Sequence, residues 1–148
     1  MVIDSDASTL FEIVVPQDPH IVNERMGLHL LGMREKADNG TFHPCNGTGV
    51  MTLAEAILLA EANRGEGFMV YRKDDDSKLA PCKLKTPYYI GKKKLMRMSA
   101  KNVELLYSNG FQIANTLPDM WYDVPRVIVQ TYTKEEWLSF DDQQRRVF

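Results

Sequence analysis

The hydrophobic pattern of the chain changes period several times, and each change predicts an element. Residues 10–15 are an apolar, β-branched run closed by Pro16, which predicts a strand. Pro16-Gln17-Asp18-Pro19 predicts a turn, and His20-Ile21-Val22 a short strand. Residues 28–34 are almost continuously apolar and predict a strand buried on both faces. Asn39-Gly40 signals a hairpin, with Phe42-His43-Pro44 starting the returning strand. The spacing then turns helical. Leu53, Ile57 and Ala60 share a face with Ala56 beside it, and Thr52 with Glu55 forms a capping box. Residues 53–62 are therefore predicted helical, ending at Asn63-Arg64-Gly65.

Residues 68–71 and 82–85 predict two strands of a hairpin around the charged turn Lys73-Asp74-Asp75-Asp76-Ser77-Lys78. Tyr88-Tyr89-Ile90-Gly91 leads into a basic helix over 92–98. Ser99 caps a second helix over 100–107, closed by Ser108-Asn109-Gly110. Residues 117–125 form a turn-rich aromatic stretch. The β-branched run 126–132 predicts a strand. Thr133 and Glu136 make another capping box, opening a short helix through Trp137 and Leu138, and Gln143-Gln144-Arg145-Arg146 reads as a polar tail. This mixture predicts an α+β fold, an antiparallel sheet with helices packed against it.

A chain of 148 residues suits one domain with a real core. A net charge of −2 excludes a globally basic nucleic-acid binder, so any attraction for RNA must come from a local patch. Cys45 and Cys82 match neither a disulfide framework nor a metal-binding pair, and a reducing, cytoplasmic setting is expected. No apolar run is long enough to span a membrane, and the acidic N-terminus is unlike a secretory signal.

The chemistry concentrates around Gly65-Glu66-Gly67 and Lys83-Leu84-Lys85. Alternate residues of a strand share a face, so Lys83 and Lys85 point the same way, and a hairpin can bring Glu66 to them. Two lysines suit phosphate and a carboxylate suits its divalent metal. Alternating lysines also guard sheet edges. Glu12 interrupts its strand either to face solvent or to serve a site. His20 has no His, Cys or Asp partner at metal spacing, which argues against a metal there. The acidic triplet 74–76 reads as a solvated hairpin tip. Cys45-Asn46-Gly47-Thr48-Gly49-Val50 lacks the Gly-Lys-Ser/Thr ending of a phosphate loop. Lys93, Lys94 and Arg97 form a basic cluster that either meets RNA phosphates or is simply a solvated helix start. No chemistry is assigned to residues 111–148.

Four short motifs carry a family resemblance. Gly65-Glu66-Gly67-Phe68-Met69-Val70 resembles motif IV of the covalent nucleotidyltransferases, and Lys83-Leu84-Lys85 their motif V. Thr9-Leu10-Phe11-Glu12, with Pro16 and His20-Ile21-Val22, resembles motif III. Leu28-His29-Leu30-Leu31-Gly32-Met33-Arg34 resembles motif IIIa. The extension Thr86-Pro87-Tyr88-Tyr89 and the basic helix after it are most similar to phage-type ATP-dependent RNA ligases. The resemblance implies a partial nucleotidyltransferase (ligase adenylation) domain over residues 1–98 with an extension over 99–148. It implies ATP and Mg²⁺ as cofactors and RNA ends, those of tRNA among them, as partners. Glu66 would hold the metal, Lys83 and Lys85 the phosphates, and Glu12 the ribose or metal. Leu30, Leu31 and Met33 would form the apolar wall under adenine, or else plain core. The motif I Lys-x-Asp-Gly, whose lysine takes AMP, does not occur in the chain. The chain is thus expected to be a C-terminal portion of an RNA ligase, unable to adenylylate itself and partnered by a missing N-terminal part. The rival readings are a non-catalytic nucleotide- or RNA-binding module and a small intracellular interaction protein.

Overall fold

The computed structural model describes residues 7–17, 20–35, 42–44, 49–71 and 82–147. Ala7–Val14 (β1) pairs antiparallel with Gly27–Glu35 (β2), and β2 with Phe42–Pro44 (β3), giving a three-stranded sheet in the order β1-β2-β3. The Asn39-Gly40 turn lies outside the described residues, but the strands flanking it pair antiparallel as the hairpin signal requires. Leu10 lies opposite Gly32 whereas Phe11 lies opposite Leu30, so Leu31 is the extra residue of a β-bulge.

The bulge decides which side chains share a face, because residues directly opposite each other point the same way. Thr9/Met33, Phe11/Leu30 and Ile13/Leu28 stand on one face, and Leu10/Gly32, Glu12/His29 and Val14/Gly27 on the other. The first face is apolar yet open: Phe11, Ile13, Leu28, Leu30 and Met33 are all exposed. The expectation of a strand buried on both faces is therefore corrected. Leu28 is 60% exposed and Leu31 41%, because the described helices gather around a different element. His20-Ile21-Val22 is not a strand either. Ile21 and Val22 instead turn inward and are buried.

Gly67–Val70 (β4) and Cys82–Lys85 (β5) form a separate two-stranded antiparallel sheet, with Gly67 opposite Lys85 and Val70 opposite Cys82. The fold is thus mixed α and β with two small antiparallel sheets rather than one. The connecting turn 73–78 and the segment 45–48, with Cys45, lie outside the described residues.

Leu53–Ala62 (α1) starts at the expected capping box: the Thr52 hydroxyl accepts from Glu55 N–H, and the Glu55 carboxylate accepts from Thr52 N–H at 2.7 Å. Its buried residues are Ala56 and Ala60, while Leu53 and Ile57 stay exposed. Pro87–Met96 (α2) begins five residues before the expected start at Lys92. Thr86 is its N-cap and Pro87 supplies the fixed φ favoured in the first turn. This helix is the hub. Tyr89 and Met96 pack with Ile21 and Val22 on one side. Leu95 joins Met98 and the C-terminal helices on the other.

Ala100–Ala114 (α3) continues past the expected stop at Gly110, with a kink at Asn109 (φ −154°, ψ 72°). Asp119–Trp121 is a single 3₁₀ turn. Residues 126–132, expected as a strand, belong to helix Val124–Thr131 (α4). Val124, Pro125, Ile128 and Tyr132 recur at helical spacing toward the core, and burying that stripe outweighs the β preference of Val127, Ile128 and Val129. Lys134–Ser139 (α5) opens at the expected capping box and places Trp137 in the core at 0% exposure. The core that unites Leu95, Met98, Val103, Leu106, Ile128 and Trp137 draws on residues before and after position 99. No described helix is long and apolar enough to cross a membrane.

Candidate functional site

The β4–β5 hairpin is shaped by the two glycines that flank Glu66. Helix α1 ends at Asn63, whose side-chain oxygen accepts from the Gly65 amide. Gly67 has φ +138°, and a Cβ there would overlap the Leu84 carbonyl, so only glycine fits. From the other strand, the Thr86 amide donates to the Glu66 carbonyl at 3.2 Å, and the Thr86 hydroxyl donates to the Gly65 carbonyl at 2.6 Å. Glu66 is thereby held by its backbone on both sides.

Its side chain meets Lys85, whose ammonium donates to Glu66 Oε1. Both side chains remain about one-third open to solvent, at 28% for Lys85 and 34% for Glu66. A pair so exposed stabilises a fold by only ~0–1 kcal/mol, so folding alone gives little reason for it. The Lys85 ammonium also lies 4.6 Å from the centre of the Tyr89 ring, and the Lys93 ammonium lies 5.7 Å from the same ring. Lys83, opposite Met69, is exposed two positions before Lys85, on the same side of β5 by strand alternation. The Lys85 and Lys93 ammonium groups thus border Tyr89, with Glu66 paired to Lys85 and Lys83 two positions away on β5.

The rest of the basic cluster is engaged elsewhere. Lys94 donates to the Thr116 carbonyl at 2.9 Å, and Arg97 pairs with Asp142 at 3.1 Å. Lys92 is buried, its ammonium 3.4 Å from the Tyr88 hydroxyl. Of the expected Lys93, Lys94 and Arg97 patch, only Lys93 turns toward the hairpin.

Of the expected site residues, the structure brings Glu66 and Lys85 into contact and keeps Lys83 alongside. Glu12, Leu30, Leu31 and Met33 lie in the other sheet. Leu30 and Met33 share its open apolar face, whereas Leu31 is the bulge residue and Glu12 points to the opposite face. Glu12 and the expected adenine wall therefore do not line one surface. Glu12 instead gathers with His20 and Glu24, the three donor atoms lying within 4.8 Å of one another. The expectation for His20 considered only His, Cys and Asp partners; its neighbours here are two glutamates, one of them brought in by β1.

Sequence reasoning also missed a cleft of about 210 Å³ lined by Arg64, Tyr88, Met120, Trp121 and Val124. Tyr88 and Trp121 sit with ring centres 5.2 Å apart, and the Arg64 guanidinium lies 6.0 Å from the Tyr88 ring. Gly91 permits this packing, since a Cβ there would run into the Trp121 indole. The cleft is smaller than the ~300–1,000 Å³ of a usual small-molecule pocket. These residues come from four separate segments, and Arg64 and Tyr88 link them in sequence to the two ends of the hairpin.

No family model matches the chain, and no curated protein and no solved structure is similar enough to it to count as a relative.

Proposed function

We propose that the chain is the C-terminal portion of an ATP-dependent RNA ligase, which binds ATP or AMP and a metal on the β4–β5 hairpin during RNA end joining. The observation that carries this reading is the meeting of Glu66, just before β4, with Lys85 of the paired strand β5, with Lys83 two positions away on that strand. Motifs IV and V of the nucleotidyltransferase resemblance fall on those two strands. The residues suit the ligand. Mg²⁺ bound with a nucleotide takes one or two carboxylates plus phosphate oxygens and waters, and Glu66 offers one accessible carboxylate. Lys83 and Lys85 offer point charges for phosphate. Bound there, metal and lysines would offset charge on the transferring phosphoryl group. In the free protein the Glu66 carboxylate takes the place of a phosphate oxygen on Lys85, so ligand and carboxylate compete for one ammonium.

The same features serve a non-catalytic nucleotide-binding module, and the lack of any Lys-x-Asp-Gly in the sequence favours that second reading for this chain acting alone. Titration of ATP·Mg²⁺ against the full chain tests the shared claim. A charge-assisted hydrogen bond contributes ~1.5–3 kcal/mol, so Lys85→Ala should weaken binding about 10- to 100-fold. Equal binding by wild type, Lys83→Ala and Lys85→Ala, or no binding by any, would overturn it. A covalent adduct from labelled ATP would show that the chain acts as an enzyme by itself.

A further inference from the structure

The cluster of Glu12, His20 and Glu24 stands apart from the β4–β5 hairpin in both sequence and sheet. His20 Nδ1 lies 3.0 Å from Glu24 Oε2, and the His20 side chain is only 15% exposed. Glu12 reaches them from β1, so that one imidazole and two carboxylates offer donor atoms all within 4.8 Å of one another. An imidazole with carboxylates is the donor set of a divalent transition metal such as zinc. Three protein ligands leave a further position for water.

A fourth group faces the same way. His29 is directly opposite Glu12 in the β1–β2 register. Its Nε2 is 2.5 Å from the Arg25 carbonyl. A carbonyl can only accept, so Nε2 is the donor in this bond. The location gives the cluster a task. Glu12 belongs to the three-stranded sheet, while His20 and Glu24 bracket Ile21 and Val22, which pack on Tyr89 and Met96 of α2. An ion shared by these side chains ties the sheet to the segment that anchors it on α2.

We infer that Glu12, His20 and Glu24 form a structural site for a divalent transition metal of the zinc class, cross-linking β1 to the 20–24 segment. The two carboxylates balance the charge of the ion.

The test is equilibrium dialysis of the full, nucleotide-free chain against Zn²⁺, with thermal melting in parallel. Wild type should take up one Zn²⁺ per chain and melt several degrees higher with it, since a ligand that binds only the folded state stabilises it. Loss of an outer-shell partner alone typically costs 10- to 100-fold in metal affinity, so His20→Ala and Glu24→Gln should each weaken uptake by at least about tenfold and abolish the melting shift. Glu66→Gln should leave both unchanged, which separates this site from the nucleotide reading. If His20→Ala fails to fold, Glu24→Gln decides. No Zn²⁺ uptake by wild type, or uptake that survives both substitutions as it would on the exposed Cys82, overturns the inference.

Discussion

Thr86 and Gly65 are joined by a hydrogen bond of 2.6 Å from hydroxyl to carbonyl, and the same hydroxyl caps α2 by accepting from Tyr89 N–H at 3.0 Å. One fully buried side chain therefore closes the base of the β4–β5 hairpin and starts the next helix. It sets where Glu66 and Lys85 meet.

Thr86→Val keeps the shape but removes both bonds. Loss of an N-cap costs ~1 kcal/mol, and an unsatisfied, part-buried carbonyl costs ~1–3 kcal/mol more. The expected destabilisation is about 2–4 kcal/mol, read as a lower urea midpoint at unchanged slope. Thr86→Ser should restore most of it.

Arg145 carries a second prediction. It is 7% exposed and donates to the Trp137 carbonyl at 2.8 and 3.1 Å, to Met98 at 3.0 Å and to Met96 at 3.3 Å. Its guanidinium also lies 5.7 Å from the Trp137 ring. These bonds tie the chain end to the C-terminus of α2 and to α5. Arg145→Lys keeps the charge but loses the fork, leaving at least one buried carbonyl unmet at ~1–3 kcal/mol each. Arg145→Lys should destabilise the protein by about 2 kcal/mol and Arg145→Ala by more, measured by chemical denaturation.

Acid should loosen the two capping boxes. Hydrogen bonds from the Thr52 backbone and hydroxyl hold the Glu55 carboxyl below its ordinary range, and those from Thr133 do the same for Glu136. A carboxyl whose folded pKa is depressed contributes stability that is complete above its unfolded value. That stability is lost as pH falls through the folded value. The loss should therefore begin below about pH 4.3, the ordinary glutamate value. Thermal melts from pH 6 to 3 should show a smaller decline in the Glu55→Gln, Glu136→Gln double variant, which has no such carboxyls to protonate. An unchanged decline would assign acid sensitivity elsewhere.

Much of this fold was legible in local pattern. The helix at 53–62, both capping boxes and the β4–β5 pair follow from residues within one turn or strand of each other. The errors have two causes: local signals weighed wrongly, and partners far along the chain. The run 126–132 looks like a strand until Pro125, at the helix start, and the spacing of Val124, Ile128 and Tyr132 are weighed against it. Residues 28–34 look buried because their apolar content is high, but nothing in a sequence says which sheet face the helices cover. Arg145 looks like part of a polar tail because the carbonyls it meets belong to residues 96, 98 and 137. In the candidate site, Glu66, Lys83 and Lys85 were visible because strand period and hairpin closure are local. The Glu12–His20–Glu24 cluster was half visible, as the i,i+4 spacing of His20 and Glu24. Glu12 joins it only when the chain reverses after β1.

The magnesium dependence of ATP binding tests the central claim most directly. If Glu66 holds the metal and restrains Lys85, wild type should bind ATP more tightly with Mg²⁺ than without it. Glu66→Gln should lose that increment, yet bind metal-free ATP at least as well as wild type, because Lys85 is released. An equal magnesium increment in wild type and Glu66→Gln, or no ATP binding under either condition, would contradict the account.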